Sequence, residues 1–418
     1  MTQPHDHQPL RNPRQQLTTR AIIVWLGAAL TYMVAITGRT SFGVAAVDAM
    51  TRFQVDTAHI AVFTSLQVGV YALVQIPTGM AIDRIGPKKM LVGGAIVMAI
   101  GQILLGCATT YPVALIARAL IGAGDATAFL TAMRLIPVWF PLRLSPLFAQ
   151  LTGSLGQVGQ FLSAVPFYAI LHNVGWSPAF VSLGAVGILI AGAALFMVND
   201  GTIAPTQHTN SQPRLIHVLT HPVVWEGFFM HGAAMVAFTS FMLLWGVPAM
   251  TQGMGVDPKT AGLVLVLNPI AMIIVGPLAG LFSARIGLHR DIATIIVTAI
   301  MTGTFALFFS AGSPRSLPAA AITVAVVSVF APSFNFGFDS IREVLPHSVM
   351  ATGTGFANMG GFLSTMVASQ AMGLIMAEPL DWAQFSTGWW AITAVWLICA
   401  IGIVITAILL RRRLAARR

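Results

Sequence analysis

The chain alternates between long apolar runs and short polar connections. It contains twelve mostly apolar runs long enough to cross a membrane as helices, since about 20 helical residues span a hydrocarbon core of ~30 Å. The pattern therefore predicts twelve transmembrane helices, spans 1 to 12. Their approximate limits are 21–47, 57–82, 90–109, 112–139, 144–171, 176–198, 222–250, 259–284, 291–312, 317–340, 347–376 and 385–410.

The composition excludes an ordinary soluble protein. Of the 418 residues, 56% are hydrophobic and 8% are charged, whereas typical globular domains carry about 25% charged residues. So few charges could not solvate the surfaces of soluble domains. The two cysteines, Cys107 and Cys399, lie within apolar runs, so no disulfide framework is indicated. We predict an all-α integral membrane protein.

The basic residues indicate its orientation. Of the 22 Lys and Arg residues, all but five fall on the side of the membrane that holds both chain ends. The opposite side carries Arg52, Lys259 and Arg315, while Arg39 and Arg118 lie at membrane depth. This positive-inside bias predicts a multi-pass protein of the plasma membrane, the bacterial inner membrane, with both termini cytoplasmic. It also accounts for the net charge of +9 without a nucleic-acid partner.

The chain divides into two similar halves. The sequence predicts a cytoplasmic tail (1–20), a six-helix bundle (21–198), a polar cytoplasmic linker (199–221), a second six-helix bundle (222–410) and a basic tail (411–418). The loop that begins at Gly79 is echoed at Gly280, and Phe161-Leu-Ser is echoed at Phe362-Leu-Ser. Both echoes have the same offset along the chain, which indicates a duplicated unit, a common plan for secondary transporters.

The loop between spans 2 and 3 resembles a known signature. Its sequence is Gly79-Met-Ala-Ile-Asp83-Arg84-Ile-Gly86-Pro87-Lys88-Lys89, and it looks like the signature loop of the major facilitator superfamily. Arg118, followed by Gly122 and Gly124 in span 4, resembles a second motif of that family. The resemblance implies two pseudo-symmetric six-helix bundles around a cavity that opens alternately to each side. Spans 1, 4, 7 and 10 would line the cavity, and spans 2, 5, 8 and 11 would form the interface.

Within the superfamily, Gly38-Arg39 and the glycine- and glutamine-rich span 5 resemble anion porters of the cyanate and nitrate/nitrite groups. Nitrate porters carry arginines in spans 2 and 8, where this chain has Gln67, Gln75 and Asn268.

The signature loop is a candidate gate. The gate candidates are Gly79, Asp83, Arg84, Gly86, Lys88 and Lys89. The glycines permit close packing and a tight turn, and Asp83 can face the positive end of a neighbouring helix, span 11 by family analogy. The alternative is that the basic residues serve only as topology determinants. The second copy has Ala284 instead of the acid, so we expect a one-sided latch. Asp339 and Arg342, with Glu226 and Glu343, are candidates for an inner gate or for solvated helix ends.

Three charged residues lie at membrane depth, where charges are costly and commonly mark a pathway. Arg39 in span 1 is a candidate anion-binding residue. Arg118 and Asp125 lie two turns apart on span 4 and are candidates for coupling, with Asp125 as a proton carrier. The alternative is a structural Arg–Asp pair in which Asp125 is bound to either arginine.

Polar residues within the spans are candidates for contact with a substrate. With Arg39, the substrate-binding candidates are Tyr32, Gln67, Tyr71, Gln157, Trp245, Asn268, Asn335 and Asn358, and His231 in span 7 is a further cavity candidate. Polar residues at such depth could equally form hydrogen bonds between helices.

These features predict a secondary active transporter of a small anion or organic acid that works by alternating access. No phosphate-binding Gly-x-x-x-x-Gly-Lys-[Ser/Thr] loop and no soluble catalytic domain is present, so we expect neither an ATP-driven pump nor an enzyme. We expect no cofactor or metal site. The expected partners are a small-molecule substrate and the lipid bilayer, with transport driven either by the gradient of the substrate or by protons, and with the protein acting as a monomer. The alternatives are a proton-coupled exporter of drugs, lipids or other amphiphiles, and a non-transporting sensor.

Overall fold

The computed structural model describes residues 17–201, 215–376 and 379–416. Nearly all of these residues are helical, and no strand occurs among them, in agreement with the all-α prediction. The start of the N-terminal tail, most of the predicted linker and the last two residues of the basic tail lie outside the described residues.

Twelve helical segments of the described chain, α1 to α12, occupy the twelve predicted spans in order. The first six are α1 Thr19–Val44, α2 Thr57–Leu73 continued by Gln75–Ile85, α3 Pro87–Cys107, α4 Tyr111–Trp139, α5 Ser145–Leu162 continued to Val174, and α6 Trp176–Met197. The second six are α7 Pro222–Gly253, α8 Pro258–Leu265 continued by Leu267–Ile286, α9 Arg290–Phe309, α10 Leu317–Val344, α11 Met350–Ile375 and α12 Trp382–Ala415.

Most of these helices are apolar enough to cross a membrane. Eight helical stretches in the described chain pass on length and composition, or nine with the two parts of α2, which meet at an angle of 46°. One of the eight, Pro258–Phe309, contains both α8 and α9. The helices outside this set, α5 and α11, are rich in glycine and polar residues. Large apolar side chains on the outer surface, such as Phe196 at 81% exposure, fit contact with lipid rather than water.

Prolines and short polar side chains begin several helices. Proline occupies the first turn of α3, α7 and α8, where its missing N–H costs no helical hydrogen bond. Asp257 accepts hydrogen bonds from the backbone nitrogens of Lys259 and Thr260 at the start of α8. Asp381 accepts one from Gln384 N at 2.9 Å at the start of α12. The short polar connections therefore also fix where these helices begin.

The two halves meet most closely at one end, where glycines let backbones approach. This end carries Arg84, Lys88 and Lys89 and is called the basic end below. A Cβ atom at Gly79 of α2 would lie 2.6 Å from the Ala351 carbonyl oxygen of α11. A Cβ atom at Gly280 of α8 would lie 2.7 Å from the Pro146 carbonyl oxygen of α5. Both contacts join the first six helices to the second six.

The two largest hydrophobic clusters follow the two halves of the chain only in part. One buried cluster lies wholly within 236–392 and centres on stacked aromatic rings, with Phe309 and Trp389 centroids 4.7 Å apart. A second cluster fills the first six helices and continues into the parts of α7, α10 and α11 near the basic end. Phe129 of α4 and Phe338 of α10 meet at 5.4 Å within it. The core is therefore continuous between the halves at the basic end.

We expect Gly280→Ala to lower the thermal stability of the purified protein. The added methyl group would overlap the α5 backbone, and overpacking typically costs about 1–3 kcal/mol. Gly303→Ala is the matched control, because nothing lies within 4 Å of its added Cβ atom. The control should keep or slightly raise the melting temperature. Equal melting temperatures for the two variants would contradict this account of the α5–α8 contact.

Candidate functional site

A cavity of about 400 Å³ lies between the two halves. Its walls come from α1, α2, α4, α5, α7, α8, α10 and α11. The lining residues of α1, α5, α7 and α8 lie mainly in the parts of these helices away from the basic end. Its polar lining residues are Tyr32, Arg39, Thr40, Tyr71, Gln157, Gln160, His231, Thr239, Asn268 and Asn358. Because the helices are packed together at the basic end, the cavity opens toward the opposite end.

Arg39 and Asp125 form an ion pair at the wall of this cavity. Arg39 Nε donates to Asp125 Oδ2 at 2.5 Å, and Arg39 Nη2 donates to Asp125 Oδ1 at 3.0 Å. This two-bond geometry is the strong form of an arginine–carboxylate interaction. The Asp125 side chain is 1% exposed, whereas the Arg39 side chain keeps 21% exposure. The carboxylate is therefore sealed behind the guanidinium, which faces the cavity.

Tyr71 links this ion pair to the other half of the molecule. The guanidinium carbon of Arg39 lies 4.5 Å from the centre of the Tyr71 ring, within range of a cation–π interaction. Asn358 of α11 donates through Nδ2 to Tyr71 Oη at 3.0 Å and to Gln75 Oε1 at 2.9 Å. Polar contacts therefore run from the charge pair across the interface between halves.

Six of the nine substrate-binding candidates line the cavity. They are Tyr32, Arg39, Tyr71, Gln157, Asn268 and Asn358. Gln157 Oε1 and Asn268 Oδ1 are buried and form no hydrogen bond with a described residue. His231 also lines the cavity, with Nδ1 2.9 Å from the Phe334 carbonyl oxygen and its ring 4.6 Å from the Phe338 ring.

The other three candidates lie away from this cavity. Gln67 is 1% exposed, and its backbone carbonyl oxygen packs against Gly122 of α4. Asn335 is fully buried close to α5. Trp245 packs beside Gly373 and Phe385 at the opposite end of the second half. Substrate contact by these three residues stays a prediction, and none of them is among the residues that line the cavity.

Apolar wall residues were not foreseen from the sequence. Met235, Phe238, Met242, Met272 and Phe362 line the second half of the cavity. Methionine and phenylalanine are common throughout membrane helices, so nothing in the sequence distinguishes a cavity-facing residue from one that faces lipid.

Arg118 does not pair with Asp125 by a hydrogen bond. Its guanidinium lies over the Phe42 ring at 4.4 Å and is 2% exposed. Its Nε and Nη1 atoms form no hydrogen bond with a described residue. Of the two possible partners of Asp125, Arg39 is therefore the one that binds it directly.

The contact expected between Asp83 and the start of span 11 is present. Asp83 accepts hydrogen bonds from the backbone nitrogens of Ala351 at 3.2 Å and Thr352 at 2.9 Å, and from the Thr352 hydroxyl at 2.8 Å. These are the first residues of α11, where free N–H groups and the helix dipole favour a negative charge. Arg134 of α4 lies 3.3 Å from the same carboxylate.

The rest of the signature loop is held by the start of the linker. Asp200, just after α6, accepts a hydrogen bond from the Lys88 backbone nitrogen at 2.6 Å. Gly86 has φ of 101°, a conformation that favours glycine. Arg84 and Lys89 are exposed at the basic end. These contacts fix the turn between α2 and α3 but do not bring the basic side chains into the cavity.

The second half replaces the missing acid with an internal network. Ser283, the residue before Ala284, donates to Asp339 Oδ2 at 2.6 Å, and Arg342 pairs with the same carboxylate. Arg290 donates to Ser283 Oγ at 2.8 Å and to Glu343 Oε1 at 2.6 Å. Apart from Arg342 Nη2, which lies 3.6 Å from Met133 Sδ, these charged contacts stay within the second half.

Three comparisons with known proteins agree with this architecture. The family model described as the Major Facilitator Superfamily matches residues 28–369. A probable sulfoacetate transporter, SauU of Cupriavidus necator, is 24% identical over 65% of this chain and 67% of its own. A probable galactarate/D-glucarate transporter, GarP of Escherichia coli, is 20% identical over 85% of this chain and 87% of its own. The crystal structure of the transporter FucP in the outward conformation superposes with a TM-score of 0.71 at 15% identity, over 93% of this chain and 98% of FucP.

We expect Asp83→Asn to loosen the basic end. An amide keeps the size of the carboxylate but loses the charge that the start of α11 and Arg134 favour. Spin labels on exposed Arg143 and Arg285, one in each half, would measure the separation of the halves in a Cys107→Ser background. The variant should gain a population at longer distance. Asp48→Asn, on the short helix after α1, is the control, and identical distance distributions in both variants would contradict a latch at Asp83.

Proposed function

This chain belongs to the Major Facilitator Superfamily, and we propose that its substrate is a small organic anion held by Arg39 between the two halves. It is a multi-pass membrane transporter of small molecules, not an enzyme. The observation that carries the substrate proposal is the exposed edge of a cavity-lining guanidinium whose counter-ion is sealed behind it. Relatives named for sulfoacetate and for galactarate/D-glucarate transport support an anionic substrate.

We propose that the basic end faces the cytoplasm of a plasma membrane and that both termini lie on that side. The positive-inside bias of the sequence supports this orientation. In this orientation the cavity faces outward, as in the FucP structure with the similar fold.

We propose that Asp125 couples transport to protons. Its carboxylate neutralises Arg39 when ionised, and an incoming anion competes for the same guanidinium. A proton on Asp125 would release Arg39 to the substrate without leaving an unpaired buried charge. The pairing of Asp125 with Arg39 disfavours the exporter alternative, which favours an unpaired proton carrier. The Met and Phe side chains in the second half of the cavity are the one feature that this alternative shares with the structure.

We propose that the α2–α11 contact is the inner latch of the alternating cycle. Asp83 supplies its charge, and Gly79 allows the close approach. Asp339 and Arg342 would stiffen the same end of the second half. Opening toward the cytoplasm would require Asp83 to leave the first turn of α11.

The substrate proposal predicts that carboxylates and sulfonates, rather than organic cations or neutral amphiphiles, raise the melting temperature of the protein. Arg39→Gln should abolish the shift, because the amide provides neither the charge nor the fork of N–H donors. Arg20→Gln, an exposed arginine near the basic end, should keep it. Stabilisation only by cations or neutral amphiphiles would reject the proposal and favour an exporter.

The coupling proposal predicts a separation of two activities in Asp125→Asn. In proteoliposomes, exchange of the most stabilising anion across the membrane should persist, because Arg39 is retained. Accumulation driven by an acidic outside should be lost, because the amide cannot carry a proton. Accumulation equal to that of the unmodified protein would remove Asp125 from the coupling mechanism.

A further inference from the structure

The charges around the cavity are unevenly distributed. Among the described residues that line it, Arg39 is the one arginine or lysine, and Asp125 already neutralises it. Arg118 lies over Phe42 outside the wall, and Arg342 is bound to Asp339 below the floor. The described walls therefore offer one cationic group to a bound substrate.

The geometry of Arg39 leaves space for one anionic group. Asp125 occupies the side of the guanidinium formed by Nε and Nη2. An arginine has five N–H donors, so the edge that includes Nη1 is not used by Asp125. With 21% of the side chain exposed, this edge can bind a carboxylate or sulfonate in the two-bond manner.

Among the described residues, the wall across from Arg39 carries no lysine, arginine or carboxylate. It consists of apolar side chains from α7, α8, α10 and α11 together with His231, Thr239, Asn268 and Asn358. The Phe334 carbonyl can only accept, so His231 Nδ1 is the donor in their contact. The other nitrogen, Nε2, is buried and lies close to Gly361 of α11. A second anionic group would lose its hydration among mainly apolar side chains, with no lysine or arginine in the described wall to compensate it, which is unfavourable.

We propose that the cavity selects monoanions over dianions. The anionic group binds the free edge of Arg39, and the uncharged remainder of the substrate lies against the wall formed by α7, α8 and α11. An acid with one carboxylate and a neutral tail, such as an aldonate, fits this arrangement, whereas an aldarate would place its second carboxylate where no cation is present. This inference rests on the proposed function, since it refines the substrate of the same site.

The test compares acids that differ only in the second charged group. Binding is measured by calorimetry on the full-length protein in nanodiscs at neutral pH, with gluconate against glucarate, hexanoate against adipate, and propanesulfonate against propanedisulfonate. The monoanion of any pair that binds should bind at least ten-fold more tightly than its dianion. Arg39→Gln should remove both.

A substitution on the far wall should alter the preference. Asn268→Lys adds a cation across from Arg39 and should reduce the monoanion-to-dianion ratio at least five-fold. Ser313→Lys, which adds the same charge at an exposed position outside the cavity, should leave the ratio unchanged. Size-exclusion profiles and melting temperatures establish that each variant is folded.

The outcomes separate the two proposals. Arg39-dependent binding in which dianions equal or exceed monoanions would overturn the charge selection and leave the anion proposal intact. An unchanged ratio in folded Asn268→Lys would also overturn the charge selection. Failure of every acid to bind would reject the proposed function together with this inference.

Discussion

The site depends on the requirement that a charge within a membrane be compensated. Burying a charged group without a partner is costly, and removing one member of a buried pair costs about 3–5 kcal/mol. The chain meets this constraint by binding Arg39 of α1 to Asp125 of α4 within the same half. Asp125 is sealed from the cavity, and Arg39 keeps one edge toward it. A neutral pair thus presents a cationic surface to the substrate.

One face of α2 connects this pair to the basic end. Tyr71, Gln75, Gly79 and Asp83 are spaced four residues apart, and each contacts α11. At the cavity, Tyr71 and Gln75 contact α11 through ring packing and hydrogen bonds. Farther along, Gly79 lets the two backbones approach, and at the basic end Asp83 caps the start of α11. Because Tyr71 also touches Arg39, a change at the charge pair acts on the same helix that closes the basic end.

The sequence predicted the depth of polar residues better than the neighbouring helix that each one contacts. The spans, the charge pair at membrane depth and the position of Asp83 follow from hydropathy and the signature loop. Gln67 lies four residues before Tyr71, yet Gln67 packs against Gly122 of α4 while Tyr71 contacts Asn358 of α11. The neighbouring helix changes along the length of α2, because its first part packs mainly on α4 and its second part mainly on α11. Depth alone also left both arginines open as partners of Asp125, because the choice depends on how α1 and α4 pack.

The ion pair at the cavity lies within one half, whereas the contacts that cross between the halves beside it are neutral. Arg39 and Asp125 both belong to the first half, so separation of the halves does not require the buried ion pair to break. At the cavity floor, the contacts that cross between halves are neutral, as in Asn358 with Tyr71 and Gln75 or Gln150 with the Pro332 carbonyl oxygen. Asp83 crosses between halves where water can reach the basic end once the helices part. Separation of the halves therefore has to break the neutral contacts and the Asp83 cap, whereas the proposed protonation of Asp125 acts on an ion pair that lies within one half.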